Sequence, residues 1–148
     1  MRHAALALLL LVAAACGGEA TPATPSPSGS PLAQASGKIG AEVPLPAAFP
    51  ADVPVYPKAR LTAAAGFPES APTSWGMEWQ SLDAAAKVTA FYADKMNKGD
   101  WTLTVTSNAN GDFRANFGRK SSSNVLGTLE VTAASGVTKV LMSLVTSG

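Results

Sequence analysis

The sequence predicts an α+β fold, with a single helix packed on one face of a mostly antiparallel sheet and elements in the order β-β-α-β-β-β-β. Three observations predict it. Several short segments alternate apolar with polar residues, the period of a strand that buries one face. One segment, 82–98, instead carries apolar residues at three- and four-residue steps, the period of a helix with one apolar stripe. The strand-like segments beyond that helix follow one another through short polar turns. Such sequential strands pair antiparallel as a meander, and the helix then has one sheet face to cover.

The elements follow in order. Phe49 to Pro57 must run extended, because its prolines block a helix and restrict the residues before them. Phe49, Val53, Val55 and Tyr56 can then pack along a domain edge as an ordered lead-in. Arg60 to Ala65 is a first strand, and Gly66 to Thr73 a loop. Trp75, Met77 and Trp79 alternate with Gly76, Glu78 and Gln80 in a second strand. Ser81 is placed to cap the helix, and Asp83 falls in its first turn, where the helix dipole favours negative charge. Leu82, Ala85, Val88, Tyr92 and Met96 form the stripe, and Phe91 widens it. Lys95 and Lys98 suit the last turn, and Gly99 a left-handed cap.

After the helix, Trp101, Leu103 and Val105 alternate with threonines, and Asn108-Ala109-Asn110-Gly111 forms a hairpin turn. Phe113, Ala115 and Phe117 mark the next strand, and Arg119 to Asn124 a polar loop. Leu129, Val131 and Ala133 alternate with Thr128, Glu130 and Thr132. Ala134-Ser135-Gly136 turns the chain into a last strand carrying Val140, Met142 and Leu144.

This domain, 47–148, does not account for the whole chain of 148 residues. Met1-Arg2-His3 precedes an uncharged apolar run from Ala4 to Ala15, the design of an export signal. The run is too short to cross a bilayer as a helix, which needs about twenty residues. Leu11-Val12-Ala13-Ala14-Ala15-Cys16 resembles the lipobox of bacterial lipoproteins, with small residues followed by cysteine. That resemblance implies diacylglycerol on the Cys16 sulfur, acyl chains such as palmitate, and cleavage just before Cys16. Ala13 stands where leucine is commoner, and Ala13-Ala14-Ala15 also fits an ordinary A-x-A secretory cut. The lone cysteine at this position favours lipidation. The expected organisation is therefore a signal peptide over 1–15, a lipidated cysteine with a disordered Pro/Ser/Thr-rich tether over 16–46, and the α+β domain. The composition of Thr21 to Pro31 offers too little apolar surface to offset chain entropy.

The domain's lead-in and helix end carry a second likeness. Phe49 to Pro57, Phe91-Tyr92 and Gly99-Asp100-Trp101 are similar to a pattern found in small uncharacterised secreted or lipid-anchored bacterial domains. Such domains have a Phe-Pro-x-Asp-Val-Pro-x-Tyr-Pro lead-in and a Phe-Tyr helix followed by Gly-Trp or Gly-x-Trp. The likeness implies a fold and no activity. Asp100 departs from the commoner spacing by one residue.

Composition excludes several chemistries. Charged residues make up 14% of the chain, and removal of Arg2 with the leader leaves ten Lys+Arg against ten Asp+Glu. No basic face for nucleic acid is expected. The only histidine, His3, and the only cysteine, Cys16, lie in the first sixteen residues. Zinc sites, Ser/His/Asp triads and Cys/His pairs therefore have no ligands or bases in the domain. No metal, cofactor or catalytic residue is assigned. Asn108 to Asp112 has the outline of a calcium loop without its closing glutamate, and reads as a hairpin turn. Lys120 beside Ser121-Ser122-Ser123 reads as a solvated loop, because adjacent loop residues do not face each other.

Two surfaces are left. Trp75, Trp79, Trp101, Phe113 and Phe117 either fill the core or line a ligand groove between helix and sheet. Thr102, Thr104, Thr128, Thr132 and Thr138 are expected on the outer sheet face, either solvated or docking an envelope protein or a glycan. The functional expectation is a non-enzymatic binding or interaction module. It would sit outside the cytoplasm and be held to the cell membrane by lipid on Cys16. A structural or accessory subunit of an envelope complex, without its own ligand, is the alternative.

Overall fold

The computed structural model describes residues 37–67, 72–109 and 111–147. The expected signal peptide over 1–15, Cys16 and the Thr21–Pro31 stretch lie outside the described residues. Strands β1 (Arg60–Phe67) and β2 (Thr73–Ser81) precede helix α1 (Ala85–Lys95). Strands β3 (Trp101–Ala109), β4 (Asp112–Arg119), β5 (Val125–Ala134) and β6 (Val137–Thr146) follow it. One six-stranded sheet has the order β1-β2-β6-β5-β4-β3, and all neighbours are antiparallel. The predicted α+β class and element order are those observed.

The first hairpin joins the meander through β2 against β6. Helix α1 carries the chain from β2 across the inner face to the far edge, where β3 begins, and it packs on the central strands β5 and β6. Val88, Tyr92 and Met96 are the stripe residues it buries completely. Inward-facing residues meet in rows set by register. Trp75 pairs with Leu144, Leu144 with Gly127, Gly127 with Phe117, and Phe117 with Leu103. Gly127 is required there, because a Cβ would overlap the Phe117 ring and the Ser143 carbonyl oxygen.

The strands run longer than their alternation suggested. β1 reaches Phe67 and β2 starts at Thr73, so the expected Gly66–Thr73 loop shrinks to the residues between them. Ala109 pairs with Asp112, which also shortens the first meander turn. Ser135 and Gly136 both have positive φ between the paired Ala134 and Val137, a two-residue turn of the type that suits strand twist.

The helix is shorter than 82–98. Ala84, with extended backbone, stands at its N-cap without a side-chain hydrogen bond, and its first turn holds no acidic residue. Ser81 belongs to β2, where the β2–β6 pairing draws it into the sheet. Leu82 is exposed outside the helix. Met96 is the C-cap, so Lys98 lies past the end and pairs with Asp94. Gly99 adopts the expected left-handed conformation (φ 60°), but in the link to β3. Val105 and Ala133, expected on the buried face, are exposed. In Val105's case a register shift between Val105 and Ser107 disturbs the edge strand.

The lead-in is a strap wrapped around the sheet. Residues 37–46, expected as the end of the tether, are already bonded to the domain. Gly37 N donates to Gly136 O (2.7 Å), Gly40 N to Gln80 Oε1 (2.9 Å) and Val43 N to Leu61 O (2.9 Å). Phe49, Val53 and Tyr56, expected along a domain edge, enter the core, and Val55 packs partly buried against it. The Phe49 ring lies 6.1 Å from both Trp75 and Trp79.

Candidate functional site

The five aromatics read as either core or groove are buried in the core. Trp75, Trp79, Trp101, Phe113 and Phe117 lie on the helix-side face and are 2–5% exposed. Phe49 packs on the first two, and Trp101 meets Phe117 at 5.9 Å. Arg119 lies 4.5 Å above the Trp101 ring, and Trp101 Nε1 donates to Asp52 O (3.3 Å).

Two polar knots tie the strap and loops to this core. In the first, Tyr56 Oη donates to Asp83 Oδ2 (2.5 Å), and Lys87 Nζ pairs with the same oxygen at 3.2 Å. Asp83 N donates to Ser81 Oγ (3.1 Å), and Thr138 Oγ1 to Asp83 O (2.8 Å). The Tyr56 hydroxyl and the Lys87 ammonium hold the Asp83 carboxyl below the usual carboxylate range. Burial first, then the Asp83 carboxylate, pushes the Tyr56 phenol up. The Tyr56 hydroxyl and the Thr138 hydroxyl thus tie the strap and β6 to the link between β2 and α1. This knot also corrects the expectation for Thr138, which is buried on the inner face. Its position in β6 has the parity of Val140, Met142 and Leu144.

In the second knot, Arg119 bridges Asp52 of the strap and Asp100 before β3. Ser121 Oγ donates to Asp100 Oδ2 (2.6 Å) and Ser121 N to Asp100 Oδ1 (2.9 Å). The Ser121 hydroxyl, foremost, holds the Asp100 carboxyl low. Asp100, the residue that departs from the commoner spacing, thus pins the loop after β4. Lys120 Nζ turns away from these serines to Gly99 O (2.9 Å).

The accessible chemistry lies on the face opposite the helix. One cross-strand row runs Ala65, Gly76, Ser143, Thr128, Asn116 and Thr104, through all six strands. The adjacent row runs Ala63, Glu78, Leu141, Glu130, Arg114 and Ser107. Two depressions of about 390 and 150 Å³ lie along these rows and share Thr128 and Glu130. Their charges are spent within the protein. Glu130 pairs with Arg114 (2.9 Å), and Glu78 accepts from Gln80 and Thr62 and faces Lys139 at 3.9 Å. The Gln80 amide is the main cause holding the Glu78 carboxyl low. Among the described residues, no His, Cys, Asp or Glu side chains group in threes to hold a metal ion.

Sequence reasoning placed Thr102, Thr104, Thr128 and Thr132 on this face and did not single out Gly76, Asn116 or Ser143 as site residues. Their parity is readable, and a glycine inside an alternating strand is a signal. That Gly76 and Thr128 lie two strands apart follows only from the β2–β6 pairing.

A family model described as START domain-like matches residues 62–138, just over half of the chain. The chain belongs to the START domain-like family. The match runs from β1 through α1 into β6 and leaves out the strap. Comparison with curated proteins and with solved structures found no match to this START domain-like chain.

Proposed function

We propose that this START domain-like chain is a membrane-anchored lipoprotein of the bacterial envelope, acting as a non-enzymatic binding module through its open sheet face. One observation carries the binding reading. The exposed side chains of Asn116, Thr128 and Ser143 line two adjoining depressions and, with Thr104 paired to Asn116, make no hydrogen bond among the described residues. The buried side-chain nitrogens and oxygens, by contrast, all have partners among the described residues. Hydrogen-bonding groups left over beside a concavity suit recognition of a partner or ligand. Anchoring is supported by the residues from Met1 to Cys16, and the non-enzymatic reading by a domain without histidine or thiol.

Native mass spectrometry of the chain extracted gently from its host tests the binding reading. Mass beyond the lipidated chain is the expected result, and a bare lipidated mass counts against it. A hydrolase activity abolished by one substitution in the domain would overturn the non-enzymatic part. Cys16→Ser is expected to prevent lipid attachment. A Cys16→Ser protein that still carries lipid and stays with membranes would refute the anchor.

A further inference from the structure

The outer face contains a glycine that nothing in the protein requires. Gly76 lies within β2, has no positive φ, and a Cβ on it would meet nothing within 4 Å. Glycine weakens a strand interior, and in such a place it marks close approach of another group. The larger depression opens over this gap, between Ala63 and Glu78 on one side and Thr128 and Ser143 on the other. The smaller one continues it toward Asn116 and Thr106.

We propose that the two depressions form one trench for an uncharged oligosaccharide chain lying across the strands; this deepens, and rests on, the binding-module reading. Charge sets the ligand class. The carboxylates and cations along the trench neutralise one another, as Glu130 does with Arg114 and Glu78 with Lys139. A charged ligand would therefore meet a surface with little net charge to attract it. The groups left free are neutral hydroxyls and an amide, which both donate and accept, as sugar hydroxyls do. Leu141, exposed between Glu78 and Glu130, offers apolar surface to the C–H face of a sugar ring.

Shape narrows the class further. Five inter-strand steps make the row roughly 24 Å long, and the flanking outward residues lie about 7 Å to either side. That floor is on the order of 300 Å², well below the roughly 800 Å² a stable protein partner covers. An extended peptide gains its main-chain hydrogen bonds at a sheet edge, which a course across the strands does not provide. A sugar chain needs no such ladder.

The test uses the full chain as its host produces it, purified in mild detergent, beside Gly76→Val. The probes are hexamers of N-acetylglucosamine and of β-1,3-glucose, titrated calorimetrically. Saturable binding of at least one hexamer is expected, weakened at least tenfold in Gly76→Val. That variant keeps or raises its melting temperature, because valine suits a strand and the space is open. No saturable binding of either hexamer, or equal binding by both proteins, overturns the inference. Native mass spectrometry of the two host-extracted proteins separates the failures. A non-carbohydrate mass lost from Gly76→Val would overturn the sugar and keep the binding module. A bare mass for both proteins would end both readings.

Discussion

Two glycines on neighbouring rows should respond to alanine in opposite ways. Gly127 faces inward beneath Phe117, and a Cβ there would overlap both the Phe117 ring and the backbone oxygen of Ser143. The ring has little room to swing, since it is 4% exposed and packed 5.9 Å from Trp101. The oxygen is held in the β5–β6 ladder, so the strands themselves must give. Overpacking a tight core costs typically 1–3 kcal/mol, and a clash with main chain places Gly127→Ala near about 3 kcal/mol. At roughly 4 °C per kcal/mol for a domain of about 110 residues, the melting temperature falls by about 12 °C. Gly76→Ala meets open space and removes glycine's entropy penalty, a gain of about 0.5–1 kcal/mol. Thermal and urea unfolding of the full chain, followed by tryptophan fluorescence, measures both. A Gly127→Ala protein melting within about 2 °C of the wild type, or a Gly76→Ala protein that falls as far, would refute the register and close approach described above.

Three further outcomes are expected. Phe49→Ala should cost about 3 kcal/mol or more by urea unfolding, because the ring is buried against Trp75 and Trp79; a cost under about 1 kcal/mol would mean that the strap is not part of the core. Ser135→Asn should raise the melting temperature by a few degrees, since Ser135 holds a left-handed φ of 53° in a turn type that favours Asn-Gly, and a decrease would contradict that geometry. Asp83, Glu78, Asp94 and Asp100 have carboxyls held low, so their stabilising contribution is complete above about pH 4 and disappears as pH falls through the depressed folded values. Tyr56 and Tyr92 are shifted up, so their contribution is complete below about pH 10 and is lost above it. Unfolding free energy measured against pH should therefore be flat between these limits, and Asp83→Asn should flatten the acid limb. An unchanged acid limb in Asp83→Asn would remove Asp83 from the account.

The helix illustrates what local pattern can and cannot say. Val88, Tyr92 and Met96 point inward as their spacing requires, because the period of a helix is a local property. Its N-terminal end was misread, because Ser81 is held in the sheet opposite Thr138 and Asp83 is recruited by distant partners, Tyr56 and Thr138. Those partners are 27 and 55 residues from Asp83, beyond the reach of any local rule. Thr138 could have been placed correctly, since its parity matches Val140. The tryptophans were legible as apolar strand residues suited to a core, but that Phe49 of the strap covers Trp75 and Trp79 was not.

The sequence by itself determined the α+β class, the order of its elements and the inward residues of nearly every strand. It also supplied the lack of histidine or thiol in the domain. Periodicity, turn chemistry and composition are local quantities, and a single chain displays them directly. Only the tertiary structure decided that β2 pairs with β6, and that choice creates the outer row in which Gly76, Ser143 and Thr128 become neighbours. Strand order and register arise from burying one apolar face between residues far apart in the chain. A site assembled across strands is therefore a consequence of the whole fold.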